Sequence, residues 1–312
     1  MTPRVSVVMA THDRPAGLAR QLDALRAQTL SDDAYEIIVV DDGSGPETIE
    51  LLEREKARSG PSLSVIRHEP AGGPARARNA GWRIARAPLV AFTDDDCRAG
   101  PRWLEAGLAA WDADPHRFVQ GPTRPDPQDE ERPGPMAHTL MVERLGPWWE
   151  TANIFYPHAG LEEAGGFDED HYSGPGGEDT DLGSTLIARG YEPAWAPAAV
   201  MYHAVTKLDV RAKLRLAWRW DETMLIFKRH PELRRHMTFR LFWNNNHWLL
   251  IRAAIALALP SRLWWLRWWL AAPYVLRINS RRPHVAALLV VNDLVEMAAC
   301  ARGGLRYRVP VL

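Results

Sequence analysis

The sequence predicts an α/β fold: a mostly parallel sheet covered by helices. Three observations lead there. Short β-branched apolar runs alternate with helical patterns from residue 5 onward. The runs read as strands buried on both faces. Polar clusters follow three of them, at the carboxyl ends where open sheets of this kind bind ligands.

Val5-Ser6-Val7-Val8-Met9-Ala10 is the first such run. Pro15 then opens a helix with Leu18, Leu22 and Leu25 on one face, and proline suits a first helical turn. Glu36 to Val40 reads as the second strand, followed by a charged helix carrying Ile49, Leu51 and Leu52. Leu63 to Ile66 is a third strand. A helix over about residues 74–85 precedes a fourth strand, Leu89 to Phe92. The segment from Pro122 to Pro135 holds five prolines and several acids, and is expected to be a loop.

Thr11-His12-Asp13-Arg14 follows strand one, Asp41-Asp42-Gly43-Ser44 strand two, and Asp94-Asp95-Asp96 strand four. Carboxylates at a strand end are oxygen ligands for Mg²⁺ or Mn²⁺, which neutralise a diphosphate. The plainer reading of the triplet is a helix N-cap before a helix beginning near Pro101. The second cluster is an ordinary turn, or a carboxylate that accepts from the N–H of a nucleobase. The loop Gly72 to Asn79 offers Arg76 and Arg78 to phosphate, or is a plain helix start with solvated arginines. It is not a GxGxxG loop, and strand one lacks glycines after it, so a dinucleotide site is disfavoured. Gly176-Gly177-Glu178-Asp179 opens another helix. Its acids suit the helix dipole, or provide a carboxylate that deprotonates a sugar hydroxyl. His203 follows a strand-like segment and is either structural or part of a metal shell.

Taken in order, these segments resemble the family-2 inverting glycosyltransferases over about residues 4–204. VSVVMATHDRP, VVDDGS, GPARARNAG, FTDDDC, TANIFYPHAGLEEAGGFDED and GGEDTDLGSTLIARG are each similar to a family segment. The resemblance implies a GT-A nucleotide-sugar-binding fold and a nucleotide-sugar donor. In it Thr11, Asp13 and Asp42 hold the nucleoside, with Asp42 facing the base ring. Arg14, Arg78, Asp94 and Asp95 belong to the donor site, and Asn153 lies near the donor sugar or acceptor. Asp96 is the main ligand of Mn²⁺ or Mg²⁺, completed by His203. Asp179 is the general base, supported by Glu178. Ala10, His12 and Asp13 depart from the commoner Pro, Tyr and Asn, which bears on base specificity. Leu216 stands at the Gln position of the Gln-x-x-Arg-Trp motif of processive members, which argues against a polymerase. A nucleotidyltransferase is the first alternative, but the loop after strand one lacks the glycines its triphosphate would need. A non-catalytic carbohydrate-binding or scaffold protein is the second.

The net charge of −1 conceals a division. Residues 1–204 carry 19 Lys+Arg against 33 Asp+Glu, a net of −14. Residues 205–312 carry 19 against 6, a net of +13, and hold 8 of the 14 tryptophans. Two domains with different partners are expected, a catalytic domain over 1–204 and a helical extension over 205–312. The stretch 248–276 is rich in Leu, Ala and Trp but broken by Arg252, Pro260, Arg262, Arg267 and Pro273, so its apolar runs are too short to span a bilayer. Helices lying in the interface of an anionic membrane fit better, with Leu263 to Leu270 foremost. This suits a sugar or lipid-linked hydroxyl acceptor. The plainer alternative is a helical cap or a dimer interface. Nucleic acid is not expected, because the basic residues are mixed with apolar ones. Cys97 and Cys300, the only cysteines, are far apart. With no long apolar stretch at the N-terminus, they point to a reducing compartment and the cytoplasmic face of a membrane.

Overall fold

The computed structural model describes residues 2–172, 174, 176–279 and 283–312. The chain divides into two compact units, Met1–Pro133 with Ala137–Thr206, and Gly134–Met136 with Lys207–Leu312.

The first unit begins β1 (Val5–Thr11), α1 (Pro15–Arg26), β2 (Tyr35–Asp41), α2 (Pro46–Lys56), β3 (Ser62–Arg67), α3 (Pro74–Arg83) and β4 (Leu89–Asp94). It continues with β5 (Cys97–Ala99), α4 (Trp103–Asp112), β6 (Arg117–Gln120), β7 (Thr123–Pro125) and β8 (Ala137–His138). β9 (Ile154–Pro157), α5 (His158–Ala164), α6 (Glu178–Ala188), β10 (Glu192–Trp195) and β11 (Met201–His203) complete it. Seven strands form one sheet in the order β10-β6-β9-β4-β1-β2-β3. All neighbours are parallel except β9, which runs antiparallel between β4 and β6.

Side-chain alternation along each strand divides the core between the two faces of this sheet. Val5, Val7 and Met9 of β1 join Ile37 and Val39 of β2 under α1, α2 and α4. Val8, Ile38, Val90 and Phe92 point the other way, against Trp82 of α3 and Leu182 and Leu186 of α6. Proline occupies the first turn of α1, α2 and α3, where its missing N–H costs nothing.

A small three-stranded sheet, β5-β11-β7, stands beside the large one. It alters two expectations. The helix after the acidic triplet starts at Trp103, behind β5 and an Arg102 cap, so Asp96 is no helix cap. Within the proline-rich segment Thr123–Pro125 pairs with β11, so this stretch is not loop throughout.

The second unit is helical: α7 (Val210–Trp218), α8 (Trp220–Thr223), α9 (Ile226–Arg229), α10 (Asn245–Ala258), α11 (Trp264–Ile278) and α12 (Pro283–Tyr307). Asp209 and Asn244 cap α7 and α10 by accepting from backbone amides of the first turn. α12 is, among the described residues, the one helix long and apolar enough to cross a membrane. Sequence reading of 248–276 overlooked it. Its middle is nevertheless tied into the unit. Asp293 accepts from the Tyr274 hydroxyl (2.9 Å) and from Arg277, and Glu296 accepts from Asn244.

Candidate active site

The strand ends converge as expected, but several side chains point elsewhere than predicted. β4 delivers Asp94 to the carboxyl edge of the sheet, and the chain turns through Asp95 and Asp96 into β5. α1 approaches this turn so closely that a Cβ on Gly17 would lie 2.6 Å from the Asp95 carbonyl.

The three aspartates do different work. Asp94 accepts from Arg78 Nη2 at 2.9 Å, and Arg78 Nη1 donates to Glu178 at 2.9 Å. Arg78 and Glu178 are both buried. Burial opposes the Arg78 charge, but Asp94 and Glu178 outweigh it and hold the guanidinium above its ordinary value. Through this chain α3 links the end of β4 to the start of α6. Glu178 also accepts from the Gly176 amide (2.6 Å). It is the counter-charge of Arg78, and its charge also acts on Asp179.

Asp95 faces inward. It accepts from the Thr11 hydroxyl (2.8 Å) and from Arg14 (3.2 Å). Burial raises its pKa to about 6, Arg14 holds it down in part, and Asp96 adds to the rise. Asp95 thereby fastens β4 to β1. Arg14 also donates to Asp96 at 2.6 Å and spends its charge on the triplet.

Asp96 meets His203. β11 pairs with β5 so that His203 lies opposite Cys97, and the Ala204 amide donates to the Asp96 carbonyl at 2.8 Å. His203 Nε2 stands 3.5 Å from Asp96 Oδ1, and Nδ1 lies 2.9 Å from the Ala204 carbonyl. A proton on Nδ1 donated to that carbonyl leaves the Nε2 lone pair facing the carboxylate. Two electron-pair donors facing each other suit a divalent cation. No group of three or more His, Cys, Asp or Glu side chains forms a metal cluster among the described residues. Two protein ligands are compatible with an ion whose remaining ligands are phosphate and water.

The loops expected to hold a nucleoside differ most from expectation. Asp42 accepts from His68 Nδ1 (3.0 Å), the Gly72 amide (2.9 Å) and the Gly73 amide (2.8 Å). Both its oxygens accept within the chain, so it braces the loop after β2 against the loop before α3. Asp13 sits at φ 52° and accepts from the Gly45 amide (2.7 Å), while its own amide donates to Ser44 (3.0 Å). Asp13 remains more than half exposed.

Asn153 also lies elsewhere than expected. It is 1% exposed. Its Oδ1 accepts from Trp103 Nε1 (2.7 Å), and its Nδ2 donates to the carbonyls of Pro122 (2.9 Å) and Ala199 (2.8 Å). With three of its four bonding positions spent in the interior, it knits the core together and has no access to the donor sugar.

Asp179 lies in the first turn of α6, entered through Gly176 (φ 136°) and Gly177 (φ 104°). Its Oδ1 accepts from the Thr180 amide at 2.7 Å. Burial pushes its pKa well above the usual carboxylate range, Glu178 and Glu150 add to the rise, and the Thr180 amide and Arg78 oppose it. Sequence reasoning missed Glu150, a lone acid inside the aromatic run 148–156.

Residues 6–167 match the family model of glycosyl transferase family 2, and residues 89–278 match glycosyl transferase family group 2. The chain belongs to glycosyl transferase family 2. That membership sets aside the nucleotidyltransferase reading. Validoxylamine A glucosyltransferase of Streptomyces hygroscopicus subsp. limoneus is 33% identical over 225 residues, 60% of this chain and 49% of that protein. Glycosyltransferase AglE of Haloferax volcanii is 31% identical over 107 residues, 34% of this chain and 35% of that protein. The chain thus spans about half the length, or less, of these relatives. Among solved structures, mannosyltransferase PcManGT from Pyrobaculum calidifontis, in complex with GDP-Man and Mn²⁺, superposes with a TM-score of 0.68. The match covers 97% of this chain and 87% of that one at 20% identity. S. aureus TarS 1–349 in complex with UDP gives 0.54 over 97% and 91% at 16% identity. At these identities the likeness establishes the GT-A fold.

Proposed function

We propose that the chain is a metal-dependent, inverting glycosyltransferase that moves a sugar from a nucleoside-diphosphate donor to a hydroxyl acceptor. The observation that carries the reading is the Asp94–Arg78–Glu178 chain, which ties the acidic strand end to the helix bearing Asp179. Asp96 and His203 would hold Mn²⁺ or Mg²⁺. Bound there, the ion neutralises charge on the diphosphate leaving group. Asp179 takes the acceptor proton as the hydroxyl attacks the anomeric carbon. A single in-line displacement inverts that carbon. Arg78, locked between two carboxylates, keeps Asp94 in place against the donor. PcManGT with GDP-Man and Mn²⁺ supports a divalent ion and a nucleotide donor for this fold. A panel of UDP- and GDP-sugars in Mn²⁺ tests the reading by release of nucleoside diphosphate. One donor should be turned over, with activity lost in chelator. Equal turnover in chelator would remove the metal from the account.

The second unit is proposed to lie on an anionic membrane at the cytoplasmic face, where a lipid-linked or other membrane-borne acceptor would be found. On α11, Trp264, Trp265, Trp268 and Trp269 are exposed by 67%, 58%, 60% and 65%. Their spacing of one, three and one residues sets them on one helix face. Arg252 stacks over Trp269 at 5.0 Å, and Trp with Arg suits the headgroup depth. Two buried, unpaired cysteines agree with a reducing compartment. Replacing all four tryptophans with alanine should abolish cosedimentation with phosphatidylserine-containing vesicles while folding survives. Undiminished cosedimentation of that variant refutes the α11 surface.

A further inference from the structure

The proline-rich segment that continues from β7 carries two aspartates for which the proposed reaction has no use. The Asp126 side chain is 0% exposed. Arg98 of β5 donates to both its oxygens, at 2.8 and 2.9 Å, and Arg20 of α1 lies 3.7 Å away. Asp129 accepts from Arg20 at 2.7 Å through Oδ1. Ion pairs taken out of water lose in desolvation much of what they gain by attraction, so a network of this kind is a poor way to add stability. It can fix position instead, and the position it fixes is that of His203.

β7 lies parallel to β11 with Pro125 opposite His203, and the Asp126 amide donates to the His203 carbonyl at 2.9 Å. The other oxygen of Asp129, Oδ2, accepts from the Val205 amide at 2.7 Å. That amide shares one peptide group with the Ala204 carbonyl, which lies 2.9 Å from His203 Nδ1. Asp129 and the His203 ring are thus joined through a single rigid plane. A carboxylate that accepts from the N–H polarises the peptide and makes its carbonyl a stronger acceptor. The stronger that acceptor, the more firmly the ring proton stays on Nδ1, and the Nε2 lone pair stays turned toward Asp96, 3.5 Å away. The two arginines come from the elements that set the acidic triplet. Arg98 follows Asp96 on β5 and stacks over Tyr202 at 4.5 Å, and Arg20 follows, on α1, the Gly17 that packs on Asp95.

We propose that Asp129 is a positioning residue for the metal site. It acts through the Ala204–Val205 peptide on the ring of His203, and is itself held by Arg20 and the buried Asp126–Arg98 pair. This rests on the reading of Asp96 and His203 as the metal ligands. The outer partner of a metal-binding histidine fixes its tautomer and orientation, and losing that partner costs about 10–100-fold in metal affinity. Here the partner is a backbone carbonyl, and the carboxylate that steadies it lies one peptide group further out.

The test is calorimetric titration of UDP and GDP into the full chain, in Mn²⁺ and in chelator. Asp129→Ala should bind nucleotide in chelator as wild type does, and about 10–100-fold more weakly than wild type in Mn²⁺. Loosening of the fold alone would weaken both. Should Asp129→Ala not fold, Arg20→Gln takes its place, since it frees Asp129 Oδ1 and leaves the Arg98 bonds to Asp126 intact. A folded variant that binds in Mn²⁺ as wild type does, or that loses equally in Mn²⁺ and chelator, overturns the proposal. Failure of the metal reading itself would appear separately, as wild type binding equally in Mn²⁺ and chelator, and would take this proposal with it.

Discussion

Asp179→Asn should lower sugar transfer by roughly 10²–10⁴-fold while nucleoside diphosphate binding persists, the range that a positioned general base contributes. Asparagine is nearly isosteric and keeps an Oδ1 acceptor for the Thr180 amide, so the first turn of α6 should hold. Donor contacts are left alone, because Asp94, Arg78 and Asp96 lie outside the change. The same substitution carries a pH argument. Asp179 holds its proton above the ordinary carboxylate range because it is buried beside Glu178 and Glu150. Only the ionised form accepts a proton, so wild-type kcat/KM should rise with pH through a midpoint above about 4, the ordinary carboxylate value. The stability sign is opposite to the usual one for a carboxylate. A folded pKa raised above the unfolded value means the folded state binds the proton more tightly. Stability is then fullest below the unfolded pKa and is lost as pH rises through the folded one. Asp179→Asn should therefore melt at a higher temperature than wild type at neutral pH. Full activity in the variant would remove Asp179 from the chemistry.

How much of this could be read from the sequence depended on whether the signal was local. Val5 to Thr11, Tyr35 to Asp41 and Leu89 to Asp94 form strands, as their apolar runs imply, and the clusters after them do gather at one edge. Short-range patterning suffices for that. The antiparallel insertion of β9 between β4 and β6 depends on pairings across more than 30 residues, which no local pattern encodes. Side-chain direction was equally hidden. Asp42, Asp95 and Asn153 stand in the right segments, yet their polar atoms are spent on Gly72, Thr11 and Trp103. A residue type at a motif position shows that a polar group is needed there, not whether it faces ligand or protein. Glu150 escaped because it stands alone among aromatics, where apolar neighbours outweigh one acid in any window. The length of α12 escaped because Asn292, Asp293 and Glu296 interrupt its apolar run.

The second large effect concerns Asp96 and His203. Asp96 is placed by the turn into β5, and His203 by the pairing of β5 with β11, so two separate segments meet at 3.5 Å. Arg14 holds the other oxygen of Asp96, Oδ2, at 2.6 Å, which leaves Oδ1 and His203 Nε2 to a cation. Losing either ligand should cost at least the roughly 10–100-fold in metal affinity that losing an outer-shell partner costs. Neither side chain is central to the sheet core, so the fold should survive their replacement. The direct measurement is calorimetric titration of UDP and GDP into wild type, Asp96→Asn and His203→Ala, each in Mn²⁺ and in chelator. Wild type should bind one of the two nucleotides strongly in Mn²⁺ and about 100-fold or more weakly in chelator, with both variants weak throughout. Equal affinity in Mn²⁺ and chelator, or variants that bind as wild type does, would contradict the assignment of the acidic strand end and His203 as the metal and diphosphate site.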